Sequence, residues 1–497
     1  TEIYTLSLHD ALPISGRCRF LYMLDLPHDD NECEKEKFAG ALRRLKESYE
    51  AYSGKQFDKE RFLHSFALLH TKSRPYIGVL GVRVSGVLEQ MIRENFQMDV
   101  ENLTCTGGRR LSVIPKELEQ MEEDALFLAY ADALLSQMPC FRMNHSARRN
   151  RLYLDPALKG IIYHTIKFCD YYGFEYASIK REIKVPILKI ETDFTSQSAG
   201  QLLTRIQAFS ETIEGSADMD PGKGISEEAK KQMESGVYYV AGIDSGSTST
   251  DVVILDQDGK IKSSMIIPTG GGAMMSAEKS LDLAIEKAGI KKEEIVRIDT
   301  TGYGRAYIEG GDDSITEITC HAKGANYLNP NVRTIIDIGG QDVKVLHIDN
   351  GAMTNFQMND KCAAGTGRFL DVMARVLEVK VEDLGRLGAM SKKEIGISST
   401  CTVFAESEVI SQLAMGTDKC DIINGIHKSV AHRVTGLAHR IGVVPDVVMT
   451  GGVAQNSGVV NALQQELGCE IHISPLTQYN GALGAALYAY QAATRQK

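Results

Sequence analysis

The sequence predicts an α/β protein made of a doubly wound α/β domain followed by a two-lobed α/β domain. Between residues 38 and 214, apolar strand-like runs alternate with segments of helical periodicity. A polar segment with several glycines then interrupts this alternation. Beyond it, an apolar strand that ends in an acidic, glycine-bearing turn occurs twice, about 90 residues apart, which favours two related lobes with a ligand cleft between them.

Length and composition exclude several classes of protein. The chain has 497 residues, more than one compact core usually holds, and its 43% hydrophobic and 24% charged residues are typical of folded globular proteins. Acidic residues number 65 and basic ones 55, without a long basic run, which argues against a nucleic-acid partner. No apolar stretch approaches the roughly 18 to 20 residues of a membrane-spanning helix. Ten cysteines without a signal peptide predict reduced thiols or metal ligands in the cytoplasm.

The predicted domain boundaries follow from local composition. Residues 1–16 resemble the translation of a sequencing adapter, and we interpret them as an artefact, the alternative being an ordinary surface peptide. On that interpretation the natural chain continues upstream, and residues 17–214 form a truncated first domain. Residues 215–236 are polar and carry Pro221 among glycines, which predicts a linker. Residues 237–497 form the second domain.

The elements of the first domain are predicted from hydrophobic periodicity. In chain order they are a helix at 37–52, a strand at 76–82, a helix at 86–95, a short strand before Cys105, a helix at 115–137, an apolar segment at 159–164, a strand at 185–191 and a helix at 200–213. Such alternation is typical of a mostly parallel sheet with helices on its faces.

Three glycine-bearing turns follow predicted strands of the second domain. They are GIDSGSTST at 242–250, DIGGQD at 337–342 and TGGVAQN at 450–456, the last of which opens a helix. Small side chains let a phosphate approach the backbone N–H groups, while Asp244 and Asp337 are placed to hold Mg²⁺ directly or through water. One such turn is also compatible with an ordinary hairpin, so the prediction of a nucleotide site depends on all three.

In this order the turns resemble the phosphate-1, phosphate-2 and adenosine motifs of the acetate and sugar kinase, heat-shock ATPase and actin superfamily. The resemblance implies a two-lobed, ribonuclease-H-like ATPase that binds ATP and Mg²⁺, with Asp244 and Asp337 as its catalytic carboxylates. The residues that it implies for nucleotide binding are Gly242, Ser245, Gly246, Ser247, Thr248, Gly339, Gly340, Gln341, Gly451 and Gly452. A degenerate domain of this fold without a nucleotide is the alternative.

Two cysteines of the second domain stand just before predicted helices. They are Cys362 in NDKCAAGTGRFL and Cys401 in STCTVFAESEVIS. A helix N-terminus stabilises an anionic group, such as a thiolate-ligated iron–sulfur cluster, by about 0.3 to 1 kcal/mol. Two cysteines are half a ligand set, so the other two would come from elsewhere in the chain or from a second subunit. Each cysteine taken alone is also compatible with a small buried side chain.

From residue 237 onward the chain resembles the activator ATPases of 2-hydroxyacyl-CoA dehydratases and benzoyl-CoA reductases, the BadF/BadG/BcrA/BcrD type. The matching segments are GIDSGSTSTD, TTGYGR, DIGGQD, NDKCAAGTGRFL, STCTVFAESEVIS, TGGVAQN and GALGAAL. The resemblance implies a homodimer that holds one 4Fe–4S cluster through Cys362 and Cys401 of each subunit. It further implies that ATP drives an electron from this cluster to a partner enzyme, with a ferredoxin- or flavodoxin-type protein as donor. Cys320, Cys420 and Cys469 are then structural.

The first half resembles the C-terminal part of a D-component-like subunit of 2-hydroxyacyl-CoA dehydratases, or of the related double-cubane cluster proteins. The matching segments are MPCFR, YHTIKFCD, PILKIETD and QLLTRIQAF. The resemblance makes Cys140 and Cys169 candidate ligands of a second cluster, with Cys105 a weaker candidate. It also implies that the electron acceptor is a protein of one of these two types.

The interpretation that the sequence favours is therefore a truncated dehydratase-like domain fused to an ATP-dependent electron-transfer activator. Two other functions stay open at this point. A small-molecule kinase of the same fold would need a carboxylate base near an acceptor hydroxyl and would not need Cys362 or Cys401. A nucleotide-dependent regulator would use the lobes only to switch a partner.

Overall fold

The structure of the chain is a computed structural model that describes residues 20–27, 31–68, 74–104, 117–135, 155–167, 169–193, 199–214, 227–234, 236–359, 363–398 and 401–494. The chain divides into two compact units, with the boundary between Leu203 and Thr204. The predicted segments 1–16 and 215–226 lie outside the described residues, as do Cys105, Cys140 and Cys362.

The first unit is built on a four-stranded parallel sheet with the order β2-β1-β3-β4. Its elements are α1 (Glu32–Ser53), α2 (Lys59–Leu68), β1 (Tyr76–Gly81), α3 (Gly86–Glu94), β2 (Asp99–Asn102), α4 (Glu123–Leu135), β3 (Leu158–Ile166), α5 (Asp170–Glu182), β4 (Ile187–Thr192) and the start of α6 (Ala199–Glu214). The predicted α/β alternation is confirmed. The apolar segment at 159–164 is a central strand, β3, as a continuous apolar run in a parallel sheet should be.

The second unit contains two five-stranded sheets, ordered β7-β6-β5-β8-β9 and β12-β11-β10-β13-β14. Its elements after α6 are α7 (Glu227–Glu234), β5 (Tyr239–Ser245), β6 (Ser249–Asp256), β7 (Ile261–Pro268), α8 (Ala273–Ala288), β8 (Ile295–Thr301), β9 (Asp313–Ser314), α9 (Glu317–Leu328), β10 (Thr334–Ile338), β11 (Val343–Asp349), β12 (Ala352–Met358), α10 (Gly367–Val376), α11 (Leu384–Gly388), α12 (Thr402–Ala414), α13 (Lys419–Ala438), β13 (Val447–Thr450), α14 (Ser457–Leu467), β14 (Ile471–His472) and α15 (Asn480–Thr494).

The two sheets of this unit repeat one topology. In each, three strands form an antiparallel meander, and the first of the three pairs with a parallel strand on its other side. The internal repeat expected from the sequence is therefore present, and the two-lobed fold class is confirmed. Helices α9 and α15 pack against each other, and α15 also covers β5, β6 and β8.

Two segments differ from the predicted domain boundaries. Residues 204–214 of α6 belong to the second unit, although the sequence places them in the first domain. Residues 227–234, assigned to the linker, form α7, because Met233 of this polar helix packs into a core with Tyr238 and Val240. Among the described residues, no helix is long and apolar enough to cross a bilayer.

Candidate functional site

The first glycine-bearing turn places Asp244 at the end of β5, where its side chain is buried. Two glycines enclose the carboxylate. A Cβ on Gly302 or on Gly481 would overlap the two Asp244 oxygens, and Gly302 also has a φ of +87° that suits glycine. The site therefore needs a close approach of the β8–β9 connection and of α15 to this carboxylate.

The second turn places Asp337 at the end of β10, beside Thr450 of β13. The Thr450 hydroxyl donates to Asp337 Oδ1 over 2.9 Å, and Lys344 Nζ lies 3.4 Å from Oδ2. The same ammonium lies 2.8 Å from Asp342 and 3.5 Å from Glu317. A buried lysine thus bridges three carboxylates at the centre of the site.

The charges around Lys344 keep it and Asp337 ionised. Burial alone would lower the pKa of Lys344, but Asp342, Glu317 and Asp337 raise this pKa well above its usual value. Burial alone would likewise raise the pKa of Asp337, yet His321 and Lys344 hold it below its usual value. An ionised Asp337 is the form that can hold a cation or orient a water molecule.

His321 of α9 lies between the two acidic turns. Its Nδ1 is 3.5 Å from Asp337 Oδ1, and its ring faces Gly481, the residue that packs on Asp244. Asn480, the first residue of α15, holds the backbone of His321 in place, because its Nδ2 donates to the His321 carbonyl over 2.9 Å. The packing of α9 on α15 thereby places both catalytic candidates around one imidazole.

The turns themselves meet across the cleft. A Cβ on Gly340 of the second turn would overlap the Thr248 hydroxyl of the first. Gly451 of the third turn has a φ of +85°, and a Cβ there would overlap the Ile338 carbonyl and lie 3.1 Å from Asp337 Oδ1. The three motifs predicted to act together are therefore adjacent in space.

Two buried polar atoms beside Asp244 have no hydrogen-bond partner among the described residues: Ser245 Oγ and Asp251 Oδ1. Asp251 is the cross-strand neighbour of Asp244, and burial raises the pKa of both carboxyls. Oxygen atoms without partners fit a site for a hydrated Mg²⁺ and a phosphate. The described residues contain no group of three or more His, Cys, Asp or Glu that could enclose a metal, so waters and phosphates would complete the coordination.

The remaining residues predicted to bind nucleotide fall into two classes. Those in the three turns are Gly246, Ser247, Thr248, Gly339, Gly340, Gln341, Gly451 and Gly452, while Ser245 is the last residue of β5. Gly242 differs, because it lies within β5 and a Cβ there would overlap the backbone of Ala482 and Ala486 in α15. Its position serves helix–sheet packing, two residues before the carboxylate that the strand delivers.

The described cysteines occupy distinct environments. Cys401 is the N-cap residue of α12 and is partly exposed, with no side-chain capping hydrogen bond. Cys169 likewise precedes the first residue of α5 and is partly exposed. Cys320 is fully buried, and burial raises the pKa of its thiol well above the usual value. Cys401 and Cys169 therefore have the accessible helix-start position expected of a cluster ligand, and Cys320 does not.

Sequence motifs did not identify Lys344, Glu317 or His321 as parts of the site. Lys344 gave a usable signal, since it is a charged residue inside the apolar strand VKVLHI. Glu317 and His321 are four residues apart on one face of α9, a spacing that places both toward the site but is common in surface helices as well.

Comparisons with known proteins agree with these features. The family model described as "BadF/BadG/BcrA/BcrD ATPase family" matches residues 241–489, and the model described as "2-hydroxyglutaryl-CoA dehydratase, D-component" matches residues 70–213. Both resemblances inferred from the motifs are thereby confirmed.

Individual relatives match the second unit closely. The (R)-2-hydroxyglutaryl-CoA dehydratase activating ATPase of Acidaminococcus fermentans is 61% identical over 258 residues, which are 52% of this chain and 99% of that protein. The 2-hydroxyisocaproyl-CoA dehydratase activator of Clostridioides difficile is 52% identical over 256 residues, 51% of this chain and 96% of the relative.

Two solved structures share this architecture. Component A of the Acidaminococcus fermentans dehydratase is 61% identical and covers 52% of this chain and 99% of its own, with a TM-score of 0.50. The Clostridium difficile activator with bound ADPNP is 51% identical and covers 52% of this chain and 97% of its own, also with a TM-score of 0.50. On its motifs, its fold and these matches, the chain belongs to the BadF/BadG/BcrA/BcrD ATPase family.

Proposed function

We propose that the protein is an ATP-dependent activator that passes a low-potential electron from a 4Fe–4S cluster to a 2-hydroxyacyl-CoA dehydratase-like or double-cubane iron–sulfur partner. Relatives that share more than half of their residues with the second unit carry the names of activators of 2-hydroxyglutaryl-CoA, 2-hydroxyisocaproyl-CoA and lactoyl-CoA dehydratases. The D-component match at 70–213 supports a fused portion of such a partner in the same chain.

The nucleotide step is assigned to the three turns and their carboxylates. Backbone N–H groups and hydroxyls at Ser245 to Thr248 would bind the phosphates, with Asp244 and Asp337 holding Mg²⁺ and the attacking water. Bound Mg²⁺ would supply neutralisation of the phosphate charge. Lys344 keeps Asp337 ionised, and the glycines at positions 302, 340 and 481 allow the elements around the carboxylates to approach closely.

One observation carries the proposal of coupling. The amides of Gly367 and Arg368, in the first turn of α10, donate to the carbonyls of Gly339 and Gly340 over 2.9 and 2.8 Å. Helix α10 directly follows the motif of Cys362, so the second phosphate turn and this cysteine motif are mechanically joined. A nucleotide-dependent shift of the turn would therefore move α10.

The two helices that follow the cysteine motifs also share one core. Phe369 and Leu370 of α10 lie in the same buried cluster as Ala405 and Val409 of α12. A displacement of α10 would consequently reach α12 and its N-cap residue, Cys401. We assign the 4Fe–4S cluster to Cys362 and Cys401, where bound iron and sulfide would supply the redox chemistry.

Homodimerisation is inferred from the incomplete ligand set that Cys362 and Cys401 provide. Cys362 and Cys401 supply two thiolates, and the described residues hold no larger metal-binding group. Helix α12 also exposes apolar side chains beside Cys401, with Val403 66% and Phe404 64% exposed. A second copy related by a twofold axis would add the missing thiolates and cover this apolar face.

Two further proposals concern the electron donor and a second cluster site in the first unit. A ferredoxin- or flavodoxin-type protein would reduce the cluster, and the reduced thiols required for ligation agree with a cytoplasmic location. In the first unit, Cys169 at the start of α5 is a candidate ligand of a second cluster together with Cys140.

Anaerobic assay of the full chain tests the proposal. With Mg-ATP and a low-potential reductant, we expect brown protein that hydrolyses ATP and delivers electrons to a low-potential dye acceptor only while ATP is present. Colourless protein that transfers the γ-phosphate to a metabolite would instead establish a kinase and overturn the proposal.

A further inference from the structure

The second half of α6, residues 204–214, packs against the ATPase region of the second unit. This segment, hereafter the arm, lies within the dehydratase D-component match at 70–213 and outside the ATPase match at 241–489. Arg205 of the arm donates to the Asn359 carbonyl over 3.2 Å. Ile206 and Phe209 of the arm are buried. A segment that matches the dehydratase family model therefore contacts the part of the chain that matches the ATPase family model.

Gln207 of the arm holds Arg305, in the turn after β8. The Arg305 Nη2 donates to Gln207 Oε1 over 2.7 Å, while Nη1 donates to the Gly302 carbonyl over 3.0 Å. Gly302 is one of the two glycines that enclose Asp244. The Arg305 guanidinium therefore links the side chain of Gln207 to the backbone of Gly302, beside the Asp244 carboxylate.

Glu211 of the arm holds the start of α9. Its Oε1 accepts from the Thr316 backbone N–H over 3.2 Å, and its Oε2 accepts from the hydroxyls of Thr316 and Thr319. Thr316 is the N-cap residue of α9. Burial raises the pKa of Glu211, which the threonine hydrogen bonds oppose. The carboxylate acts as a second cap for the helix that carries Glu317 and His321.

The contacts of Gln207 and Glu211 are connected to Asp337 through a series of ion pairs. Arg305 lies 3.8 Å from Glu317, and Glu317 lies 3.5 Å from Lys344, which is 3.4 Å from Asp337. His321, one turn further along α9, is 3.5 Å from the same carboxylate. The arm therefore touches both elements that set the positions of Asp244 and Asp337.

We propose that Gln207 and Glu211, which lie in the dehydratase D-component match, are positioning residues of the ATPase site. The proposal rests on the assignment of Asp244 and Asp337 to the nucleotide site.

The test is ATPase kinetics on the full chain. We expect Gln207→Ala and Glu211→Ala each to lower kcat about tenfold, with the KM for Mg-ATP changed less than threefold, because they displace catalytic groups rather than phosphate contacts. Glu211→Gln keeps an acceptor oxygen and should recover most of the rate. Gln207→Ala should cause no further loss when Arg305 is already alanine, since Gln207 acts through Arg305.

Thr212→Ala is the matched control, because within the part of the chain that the structure describes the Thr212 hydroxyl donates only to the Ala208 carbonyl of its own helix. Its kcat should equal that of the wild type. Wild-type kcat in both Gln207→Ala and Glu211→Ala, or lower melting temperatures with unchanged kcat, would overturn the positioning role. Loss of hydrolysis in Asp244→Asn identifies the site independently, so a failure of the arm proposal is distinguishable from a failure of the nucleotide site.

Discussion

At the scale of single residues, the charge balance around Lys344 decides whether the site can form. This ammonium is 4% exposed and lies within 3.5 Å of Asp337, Asp342 and Glu317. Removing it leaves buried carboxylates without a counter-charge, which typically costs about 3 to 5 kcal/mol. We therefore expect Lys344→Met to lower the free energy of unfolding by that amount, measured by urea denaturation followed by circular dichroism.

The exposed Lys287 provides the control, since its Nζ contacts the Ser264 carbonyl at the surface. Lys287→Met should change the unfolding free energy by less than about 0.5 kcal/mol. A Lys344→Met protein as stable as the wild type would mean that the buried carboxylates do not need the lysine as a counter-charge.

Asp244 is the residue whose loss should separate hydrolysis from folding and from the cluster. Its carboxylate lies in the first phosphate turn, whereas Cys401 begins α12 in another part of the unit. Asp244→Asn should lower the ATPase rate at least about 100-fold, because an amide would replace the carboxylate that we propose holds Mg²⁺ and the water. The visible spectrum of the anaerobic protein should stay the same. Wild-type turnover would remove Asp244 from the mechanism.

His427 should make stability depend on pH. It is buried in α13, neither ring nitrogen has a hydrogen-bond partner among the described residues, and burial lowers its pKa to about 4. Because the pKa in the unfolded chain is higher, about 6.5, stability is complete above pH 6.5 and is lost as pH falls toward 4. The contribution lost between pH 7 and pH 5 is about 2 kcal/mol.

A His427→Leu variant isolates this contribution from other titrating groups. Urea midpoints measured at pH 7 and pH 5 should fall less in the variant than in the wild type. Equal falls would show that His427 is partnered in solution.

At the scale of elements, α15 shapes the site through one glycine. Gly481 lies in the first turn of α15, and a Cβ there would overlap the Asp244 carboxylate. Gly481→Ala should therefore lower the ATPase rate at least about 30-fold, since a displacement of about 1 Å in a catalytic group can cost 100-fold. The measurement is the initial rate of phosphate release.

Gly436 in α13 is the matched helical control, because an added Cβ would have no atom within 4 Å. Gly436→Ala should keep the wild-type rate and gain about 0.5 to 1 kcal/mol of stability from helix propensity. A Gly481→Ala enzyme with full activity would contradict the placement of α15 against Asp244.

The elements differ in how far sequence predicts them. Strands β5 and β10 were predictable because continuous apolar runs end in an acidic turn, and the structure places both strands at the centres of their sheets. Helix α5 was not, because Gly173 and the neighbouring aromatic residues lower its intrinsic helix propensity. Tyr172 and Ile179 stabilise it by packing beside β3, a tertiary contact that local pattern does not contain.

At the scale of the whole molecule, the motifs predicted the two halves and the three turns, since both depend on short local strings. They did not predict the charged connections within the site. Glu211 of α6 accepts a hydrogen bond from Thr316, 105 residues further along the chain, and Lys344 of β11 pairs with Glu317 of α9. Such contacts follow from the packing of α6 and α9, and no sequence motif in either helix predicts them.

The central claim is that ATP hydrolysis serves a 4Fe–4S cluster held by Cys362 and Cys401 of two chains. Iron content and visible absorption of the anaerobically purified protein test it most directly. We expect about four irons per two chains in the wild type and in a Cys320→Ala control. Cys401→Ala should lose the iron and the colour and dimerise more weakly, while ATP binding persists. A Cys401→Ala protein that keeps its full iron content and colour would contradict the account.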